Sequence, residues 1–271
     1  MPKTFHFLAG LPRSGSTVLA AILNQRPEVY VSPQTDLLQV MYLLEAQIPG
    51  FESHRAGLRR EGYANLVRSS AETFYADIDA SVVIDKNRAW GTPHNLTLAR
   101  LLNPDVRILA TVRPMLEVLA SFVTQARAHP DTNFIDVAMA RTDFYPAQYR
   151  PVDDARCDWL MRPNGEIDRA ILSVAQARNH PELFHLIAYD DLVSDPSATL
   201  AEAARFLGLD AFDHDFDDLR EADVHDDAAA FGLPDLHRVR PRLARRSPRP
   251  EDVLSPYVLA RYGPADGAYP W

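Results

Sequence analysis

The sequence predicts an α/β fold in which helices cover both faces of a parallel sheet within a single domain. The first observation is that short apolar runs alternate with amphipathic helical segments, the order typical of a covered parallel sheet. The second is composition: 46% of the 271 residues are apolar, enough for a sizeable core. Because ligands of such sheets bind outside the carboxyl ends of the strands, functional residues are expected just after each strand.

Five short segments are predicted as strands because each is apolar or rich in β-branched residues. The run VRILATV is nearly continuous in such residues, which is typical of a strand buried on both faces. The five runs are TFHFLA from Thr4, EVYVS from Glu28, SVVID from Ser81, VRILATV from Val106 and FHLIAY from Phe184.

Seven segments between and after these strands carry apolar residues at helical spacing. Thr35 or Asp36 is placed to cap the second of them, and Pro93 and Pro114 stand where a proline is tolerated, in the first helical turn. The segments are STVLAAILNQ, TDLLQVMYLLEAQI, ANLVRSSAETFYADI, TPHNLTLARLL, PMLEVLASFVTQAR, EIDRAILSVAQARN and DPSATLAEAARFLGL.

Charge and cysteine content exclude several classes. The net charge is −9 and the pI about 5.4, opposite in sign to a protein that tracks a nucleic-acid backbone. Any anion site must therefore be local. The single cysteine, Cys157, allows no intrachain disulfide and favours a reducing compartment. No uninterrupted apolar run approaches the length of a membrane span, so we expect a soluble cytoplasmic protein.

The segment FHFLAGLPRSGSTVLAAIL has the glycine spacing of a phosphate-binding loop but lacks its lysine. Gly10 and Gly15 are spaced as in G-x-x-x-x-G-K-[ST], whereas Ser16 stands where the lysine belongs. The glycines permit a close backbone approach, and the amides of residues 13–17 with the following helix N-terminus predict an anion pocket. The alternative is a plain strand-to-helix turn, with hydroxyls that only cap the helix.

The missing lysine argues against an ATP- or GTP-dependent enzyme. Such enzymes use that lysine and Mg²⁺ on the concentrated charge of the β- and γ-phosphates. A sulfuryl group carries roughly one negative charge where a terminal phosphoryl group carries nearly two. Arg13, hydroxyls and backbone amides would then stabilise the leaving phosphate, and no metal is expected.

Three segments together resemble the sulfotransferases, which transfer a sulfuryl group from 3′-phosphoadenosine 5′-phosphosulfate to a hydroxyl or amine. GLPRSGSTVL resembles their 5′-phosphosulfate loop, in the Pro-Arg-Ser-Gly form of the bacterial and tyrosylprotein-type branch. VRILATVRPMLEVLASF resembles the strand and helix that carry their arginine and serine. LIAYDDLVSDPSATLAEAARFLGL resembles their third element, and the three occur in family order.

The resemblance implies donor-binding roles for named residues. Arg13 would stabilise charge on the bridging oxygen, and Ser14, Gly15, Ser16 and Thr17 would cradle the 5′-phosphate. Arg113 and Ser121 would grip the 3′-phosphate, and Tyr189 would lie near the nucleotide. Ser121 taken alone is equally explained as a small residue that packs a helix onto the sheet.

The late segment LHRVRPRLARR is basic and resembles the family's segment that closes over the donor phosphates. Arg238, Arg240 and Arg242 alternate as in an extended chain, and Arg240 is the predicted phosphate contact. A surface contact with the acidic stretch 213–227 explains the same row nearly as well.

Basic residues also follow the third predicted strand, in the run VVIDKNRAWGTP. In related sulfotransferases a basic residue here contacts the transferring sulfuryl group, so Lys86 is the predicted contact and Arg88 the substitute. The alternative is a solvated loop of charges.

The general base is not assigned by the resemblance. The tyrosylprotein branch carries a glutamate shortly after the second strand, where this chain has Pro33 and Gln34. Asp36 is the nearest carboxylate, although it equally suits a helix cap. His94 is the rival because a histidine base serves the small-molecule branch, and its alternative is a surface histidine.

These observations predict a single-domain, P-loop-like sulfotransferase. Its nucleotide-binding core covers about 3–127 and 166–209, its acceptor side covers about 36–80 and 128–165, and an extended segment covers 232–271. The acceptor is a small molecule, a lipid or a peptide, without nucleic acid or a membrane span. The rival functions are a kinase-like phosphotransferase and a non-catalytic nucleotide-binding protein.

Overall fold

The computed structural model describes residues 3–130, 132–142, 144, 151–223, 226–245 and 248–266. Its centre is a sheet of five parallel strands in the order β2-β3-β1-β4-β5. The strands are β1 Thr4–Gly10, β2 Val29–Gln34, β3 Val82–Lys86, β4 Ile108–Val112 and β5 Phe184–Ala188. The predicted fold class is confirmed, and each strand coincides with one of the five predicted runs.

Helices connect and surround the strands. Short 3₁₀ turns extend two of them, at Ile48–Gly50 and Gln176–Arg178. The described α-helices are α1 Ser16–Leu23, α2 Leu37–Gln47, α3 Glu52–Arg55, α4 Arg60–Phe74, α5 Pro93–Leu102, α6 Met115–Ala128, α7 Phe134–Arg141, α8 Val152–Leu160, α9 Glu166–Ala175, α10 Tyr189–Ser194, α11 Pro196–Leu207, α12 Asp227–Phe231, α13 Pro250–Val253 and α14 Pro256–Asp266.

The period of two along β1 divides the core into the two faces of the sheet. Phe5 and Phe7 point to the face covered by α2, α4 and α5, where the Phe7 and Trp90 rings lie 4.2 Å apart. Leu8 points to the opposite face, among apolar residues of α1 and α11. The parallel register brings the carboxyl ends of β1, β3 and β4 to one edge, where a ligand site is expected.

Two regions are more ordered than the sequence predicts. The stretch 128–165 reads as loop-rich, yet it contains α7 and α8. The tail 232–271 reads as extended, yet α13 and α14 pack against α6 and bury Val258 and Tyr262. The prolines of this tail made helices unexpected, since proline interrupts a helix interior. Pro250 and Pro256, however, stand in first turns, where the missing N–H has no helical partner to lose.

Parts of both regions, residues 131, 143, 145–150, 246–247 and 267–271, lie outside the described residues. Within the described residues, every helix is too short or too polar to cross a bilayer.

Candidate active site

A cavity of about 550 Å³ opens at the carboxyl edge of the sheet. One wall is the loop between β1 and α1. The end of β3 contributes Lys86, the residue after β4 is Arg113, and α6 contributes Ser121. The remaining walls are Tyr189 at the end of β5 and part of the segment 234–244. Predicted site residues from all three segments of the family resemblance therefore line one cavity.

The loop glycines permit close packing within the protein. Gly10 has a φ of 126°, and a Cβ there would lie 2.4 Å from the Thr111 carbonyl oxygen of β4. Gly15 has a φ of 94°, and its Cβ would lie 2.9 Å from the Tyr189 ring. Glycine is needed at both positions because the loop lies directly on β4 and on the end of β5. The predicted close approach is thus to the protein's own backbone and side chains.

The hydroxyls of the loop point in two directions, Ser14 into the protein and Ser16 and Thr17 towards the cavity. The Ser14 hydroxyl is buried and donates to the Leu11 carbonyl at 2.5 Å, while it lies 2.6 Å from Thr111 Oγ1. Ser16 and Thr17 instead face the cavity. The Ser14 side chain therefore holds the loop together, and only its backbone N–H can serve an anion.

Arg13 joins the loop to two distant parts of the chain. Its Nε donates to Ser121 Oγ at 3.2 Å, and its Nη1 donates to the Leu236 carbonyl at 2.5 Å. Its own carbonyl accepts from Arg113 Nη1 at 2.7 Å. Its φ of 62° is unusual for a residue with a side chain, and these three contacts hold that conformation in place.

Arg113 is held on two further sides. Its Nε donates to Glu117 at 3.0 Å, and its guanidinium lies over the Tyr189 ring, 4.3 Å from the ring centroid. Stacking of this kind orients a guanidinium while its edge stays available for hydrogen bonds. Arg113, Ser121 and Tyr189 are thus brought together, with Arg13 as the link.

The arginine row of the late segment lines the same cavity. Arg238 pairs with Asp235 at 3.3 Å, and Arg242 pairs with Asp217 of the acidic stretch at 2.8 Å. Arg240 has no ion-pair partner among the residues that the structure describes. The row therefore faces the cavity and also contacts the acidic stretch, while its contact with donor phosphates stays a prediction.

Positive charge dominates this cavity in a chain of net charge −9. Two carboxylates, Glu166 and Asp235, face it, and each already pairs with an arginine. Against them stand seven basic side chains, Arg13, Lys86, Arg88, Arg113, Arg238, Arg240 and Arg242. Such an excess favours an anionic ligand.

The pKa values of Lys86 and Arg13 are both lowered in the protein without a bound anion. Burial lowers the pKa of Lys86 to about 8, helped by Arg88, while the Asp227 carboxylate opposes the shift. Burial also lowers the pKa of Arg13 to about 10, with Arg113 as the next cause. A bound phosphate or sulfuryl oxygen would reverse both shifts, because opposite charge favours the protonated forms. Lys86 Nζ is aimed at the loop and donates to Thr17 Oγ1 at 3.0 Å.

A buried carboxylate positions the strand end that carries Lys86. Asp85 is fully buried and accepts from Thr35 Oγ1 at 2.8 Å, from Trp90 Nε1 at 2.6 Å and from the Tyr75 hydroxyl. Burial raises its pKa, and the three donors oppose that shift. The sequence shows Asp85 only as a charge beside Lys86, because its three donors become neighbours only in the folded chain.

The structure does not bring the two predicted base candidates to the cavity. His94 is exposed on α5, where it pairs with Glu45 at 3.3 Å and packs edge-on against Tyr42. Asp36 is exposed at the start of α2, and its side chain makes no cap hydrogen bond. Neither residue lines the cavity.

Two features of the site were missed by sequence reasoning. Arg88 bridges Glu166 at 2.5 Å and Gln34 at 3.1 Å, and all three residues line the cavity. Asp227 pairs with His237, which lines the cavity. No spacing rule signals either feature, because the partners come from separate elements. Among the described residues, no group of three or more His, Cys, Asp or Glu side chains could hold a metal ion.

Three solved structures resemble this chain. A sulfotransferase from Alicyclobacillus acidocaldarius is 16% identical with a TM-score of 0.49, and 87% of this chain covers 88% of it. The sulfotransferase domain of the curacin biosynthetic pathway is 18% identical with a TM-score of 0.48, at 78% and 76% coverage. That of the Synechococcus PCC 7002 olefin synthase is 23% identical with a TM-score of 0.43, at 78% and 75% coverage.

The family comparison covers most of the chain. No curated protein sequence matches it significantly. The model of the sulfotransferase family matches residues 6–214, which include the loop, Lys86, Arg113, Ser121 and Tyr189. Since this match spans well over half of the 271 residues, the chain belongs to the sulfotransferase family.

Proposed function

We propose that the chain moves a sulfuryl group from 3′-phosphoadenosine 5′-phosphosulfate, held in the basic cavity, to a hydroxyl or amine of a small-molecule acceptor. The family takes its sulfuryl group from this donor. One observation carries the assignment to this cavity: seven basic side chains face it against two carboxylates that already have partners. A donor with two separate anionic groups suits a cavity lined by so many basic side chains from several elements.

The 5′-phosphosulfate end belongs to the loop. Backbone amides of residues 13–17 and the N-terminus of α1 supply donors and a favourable dipole. The hydroxyls of Ser16 and Thr17 face the same space. Lys86 lies against Thr17 at 3.0 Å and so reaches the sulfuryl group or the oxygen that bridges it to phosphorus.

The 3′-phosphate end belongs to Arg113, Ser121 and Arg240. Arg113 is oriented by Glu117 and Tyr189, and Ser121 already accepts from Arg13. A phosphate there would accept from the Ser121 hydroxyl and from the Arg113 guanidinium. Arg240, exposed and without an ion pair among the described residues, would add a second guanidinium from the late segment.

Transfer needs positive charge where the leaving group gains it. The acceptor oxygen or nitrogen attacks sulfur, and the bond from sulfur to the 5′-phosphate oxygen breaks. Lys86 and Arg13 would stabilise the negative charge that builds on that oxygen. Because a sulfuryl group carries only about one negative charge, these cations and the loop amides suffice, and the proposal includes no metal.

The acceptor would enter beside Lys86. On that side Arg88 ties Glu166 of α9 to Gln34 of β2, and all three line the cavity. This bridge narrows the mouth next to the reacting centre, so an acceptor must either fit past it or contact it.

Cytoplasmic localisation, without nucleic acid as a partner, is part of this proposal. It is supported by the net charge of −9 and by a single cysteine. Cys157 is buried, and burial raises the pKa of its thiol. An unreactive packing role in a reducing compartment is consistent with both facts.

Calorimetric titration tests the donor assignment. We expect 3′-phosphoadenosine 5′-phosphate to bind with or without Mg²⁺, and more tightly than ATP. The variant Arg240→Ala should weaken this binding. Arg249→Ala is the matched control, because Arg249 lies shortly after the late segment, pairs with Asp252 and does not line the cavity. Firm binding of ATP with Mg²⁺ and none of the bisphosphate would overturn the proposal.

A further inference from the structure

The late segment pairs along its backbone with the acidic stretch 213–227. The Leu219 N–H donates to the Pro241 carbonyl at 2.7 Å, and the Leu243 N–H donates to the Phe216 carbonyl at 2.8 Å. The partners run in opposite directions, as in an antiparallel pair of strands. The late segment is therefore held at more than one point and is not a free loop over the cavity.

Glu221 adds a side-chain contact to this pairing. Its Oε1 accepts a hydrogen bond from the backbone N–H of Val239. A hydrogen bond to an ionised carboxylate is shorter and stronger than one between neutral groups. Val239 is 8% exposed and belongs with Leu219 to the apolar cluster on the face covered by α1 and α11. Both the backbone and the side chain of Val239 are thus fixed by the protein.

Arg240 lies between two of these attachments. Val239 before it is held by Glu221, and Pro241 after it is held by Leu219. Successive side chains of an extended chain point to opposite faces, so burial of Val239 turns Arg240 outward, where it lines the cavity. Proline also restricts its own φ angle, which stiffens the backbone next to Arg240.

The acidic stretch is itself attached to the end of α1. The Gln25 side chain accepts from the Asp215 N–H at 2.8 Å and donates to the Asp215 carbonyl at 2.6 Å. Arg26, which is buried, donates from Nη2 to the carbonyl of Asp210 at 2.8 Å. The late segment therefore rests on a support that is bound to the scaffold and that needs no ligand.

We propose that Glu221 is a positioning residue for the donor, which holds the backbone at Val239 so that Arg240 faces the 3′-phosphate before the donor binds. This inference rests on the proposed function. A guanidinium that is already in place loses less conformational freedom on binding, so more of its attraction for phosphate appears as affinity. Glu221 does not line the cavity, and it therefore acts through the backbone of the late segment.

The sign of the effect separates this role from a simple effect of charge. Because Glu221 contacts the residue before Arg240, loss of its negative charge would by itself strengthen the binding of an anion. Loss of positioning weakens it. In titration calorimetry, Glu221→Ala should weaken the binding of 3′-phosphoadenosine 5′-phosphate by about 3- to 10-fold. Glu221→Gln keeps an oxygen that can accept from Val239, and its affinity should stay within about twofold of wild type.

Asp218→Ala is the matched control for charge. Asp218 is an acid of the same stretch, but it pairs with Arg220 at 2.6 Å. This variant should bind 3′-phosphoadenosine 5′-phosphate at least as tightly as wild type. Weakening in Asp218→Ala equal to that in Glu221→Ala, or no weakening in Glu221→Ala, would overturn the proposal.

A double variant tests whether Glu221 acts through Arg240. In the Arg240→Ala background, adding Glu221→Ala should weaken binding by no more than about twofold further, because the contact that Glu221 supports is already gone. Adenosine 5′-phosphate, which lacks the 3′-phosphate, should bind Glu221→Ala within about twofold of wild type. A full and additive loss in the double variant would contradict the role assigned to Glu221.

Turnover separates positioning of the donor from an effect on the reacting centre. Release of radioactive sulfate from ³⁵S-labelled 3′-phosphoadenosine 5′-phosphosulfate, with water as the acceptor, measures it. In Glu221→Ala the KM for this donor should rise while kcat stays within about threefold of wild type, since Lys86 and Arg13 are unchanged. A fall in kcat of more than about tenfold would place the effect at the reacting centre and overturn the proposal.

Limited digestion with trypsin tests the ligand-free wild type and needs no variant. The bond after Arg242 lies in the paired part of the late segment, whereas Arg59 lies in an exposed turn before α4. We expect slower cleavage after Arg242 than after Arg59, and less than about threefold further protection by 3′-phosphoadenosine 5′-phosphate. Rapid cleavage after Arg242 that the ligand strongly suppresses would mean that the segment becomes ordered only on binding, against the proposal.

The outcomes separate this inference from the proposed function. If Glu221→Ala bound 3′-phosphoadenosine 5′-phosphate as tightly as wild type, Glu221 would not be a positioning residue, while the donor site would stand. If the wild-type protein did not bind this ligand at all, the proposed function would fail, and the role of Glu221 with it.

Discussion

The carboxyl edge of the sheet, where the donor is proposed to bind (the donor edge), differs from the helical layer of α2 to α4 in which side chains it buries. At the donor edge, Arg13, Arg113 and Lys86 are polar residues that are buried or nearly so and are bound to one another or to the loop. In the helical layer, α4 buries only Val67 and Ala71. Large apolar side chains are exposed there instead: Val40, Tyr42, Leu43, Leu44, Phe51, Leu58, Leu66 and Phe74.

The two regions therefore differ in how firmly contacts fix the positions of their side chains. Several polar contacts of the donor edge connect segments far apart in sequence, such as Arg13 with Ser121 and with Leu236. Loss of one contact there leaves a buried charge poorly satisfied, which is costly. The helical layer makes few such contacts, so we expect substitutions on its surface to change little.

The largest expected effect is on the rate of transfer in Lys86→Met. Removal of one preorganised cation from a developing negative charge lowers the rate by about 100- to 1000-fold. Affinity for 3′-phosphoadenosine 5′-phosphate should fall much less, since the loop amides remain. Single-turnover measurements with the labelled donor check this. A rate within tenfold of wild type would show that Lys86 is a solvated charge and not part of the reacting centre.

The next effect is on donor binding in Arg113→Ala. Loss of charge-assisted hydrogen bonds to the 3′-phosphate should weaken binding of 3′-phosphoadenosine 5′-phosphate by about 10- to 150-fold. Adenosine 5′-phosphate, which lacks the 3′-phosphate, serves as the matched ligand and should bind nearly as it does to wild type. An equal loss for both ligands would mean that Arg113 acts only by holding Arg13 and the loop.

A smaller effect is expected from pH, through Lys86. Its lowered pKa of about 8 means that the free protein loses this charge as pH rises above 8, whereas a bound anion favours the protonated form. Affinity for 3′-phosphoadenosine 5′-phosphate should therefore fall above pH 8, by at most about tenfold per pH unit. Phosphate groups titrate near pH 6 and do not contribute in this range. Calorimetry in buffers of different ionisation enthalpy should detect proton uptake near pH 8.

Lys86→Arg provides the control for this pH dependence. Arginine keeps its charge throughout the range, so its affinity curve should be flat between pH 8 and 9. A wild-type curve as flat as that of the variant would contradict the assignment of the titration to Lys86.

The smallest effects are expected in the helical layer and beside it. Leu43→Gln, at a side chain that is 59% exposed, should change the free energy of unfolding by less than about 0.5 kcal/mol. His94→Asn should leave donor binding and sulfate release unchanged. Urea unfolding measures the first outcome, calorimetry measures donor binding, and the release of labelled sulfate from the donor measures turnover. A large loss of transfer in His94→Asn would place the acceptor side nearer to α5 than the cavity suggests.

Much of the donor site follows from local sequence. Gly10, Gly15 and the hydroxyls after them are recognisable because a phosphate loop needs consecutive residues between a strand and a helix. Arg113 and Ser121 are recognisable because one helix fixes their separation. The place of the late segment at the cavity was not recognisable, because no local spacing relates its residues to the end of β3.

For two loop residues the structure shows contacts that local interpretation did not predict. Ser14 reads as a phosphate ligand, yet Leu11 and Thr111 take its hydroxyl. Gly10 reads as a point of ligand approach, yet β4 occupies that space. In both cases a neighbour from β4 decided the outcome, and pattern reasoning about the loop alone contains no information on that neighbour.

The amino-acid sequence by itself determined the strand and helix order, the parallel sheet and the glycine loop proposed to bind an anion, since each follows from residues close together in the chain. Only the tertiary structure decided that Arg13 joins Ser121 to Leu236 and that Arg240 faces the same cavity as Arg13. The physical reason is that hydrogen bonds and ion pairs act over a few ångströms, and folding alone brings residues more than one hundred positions apart within that distance.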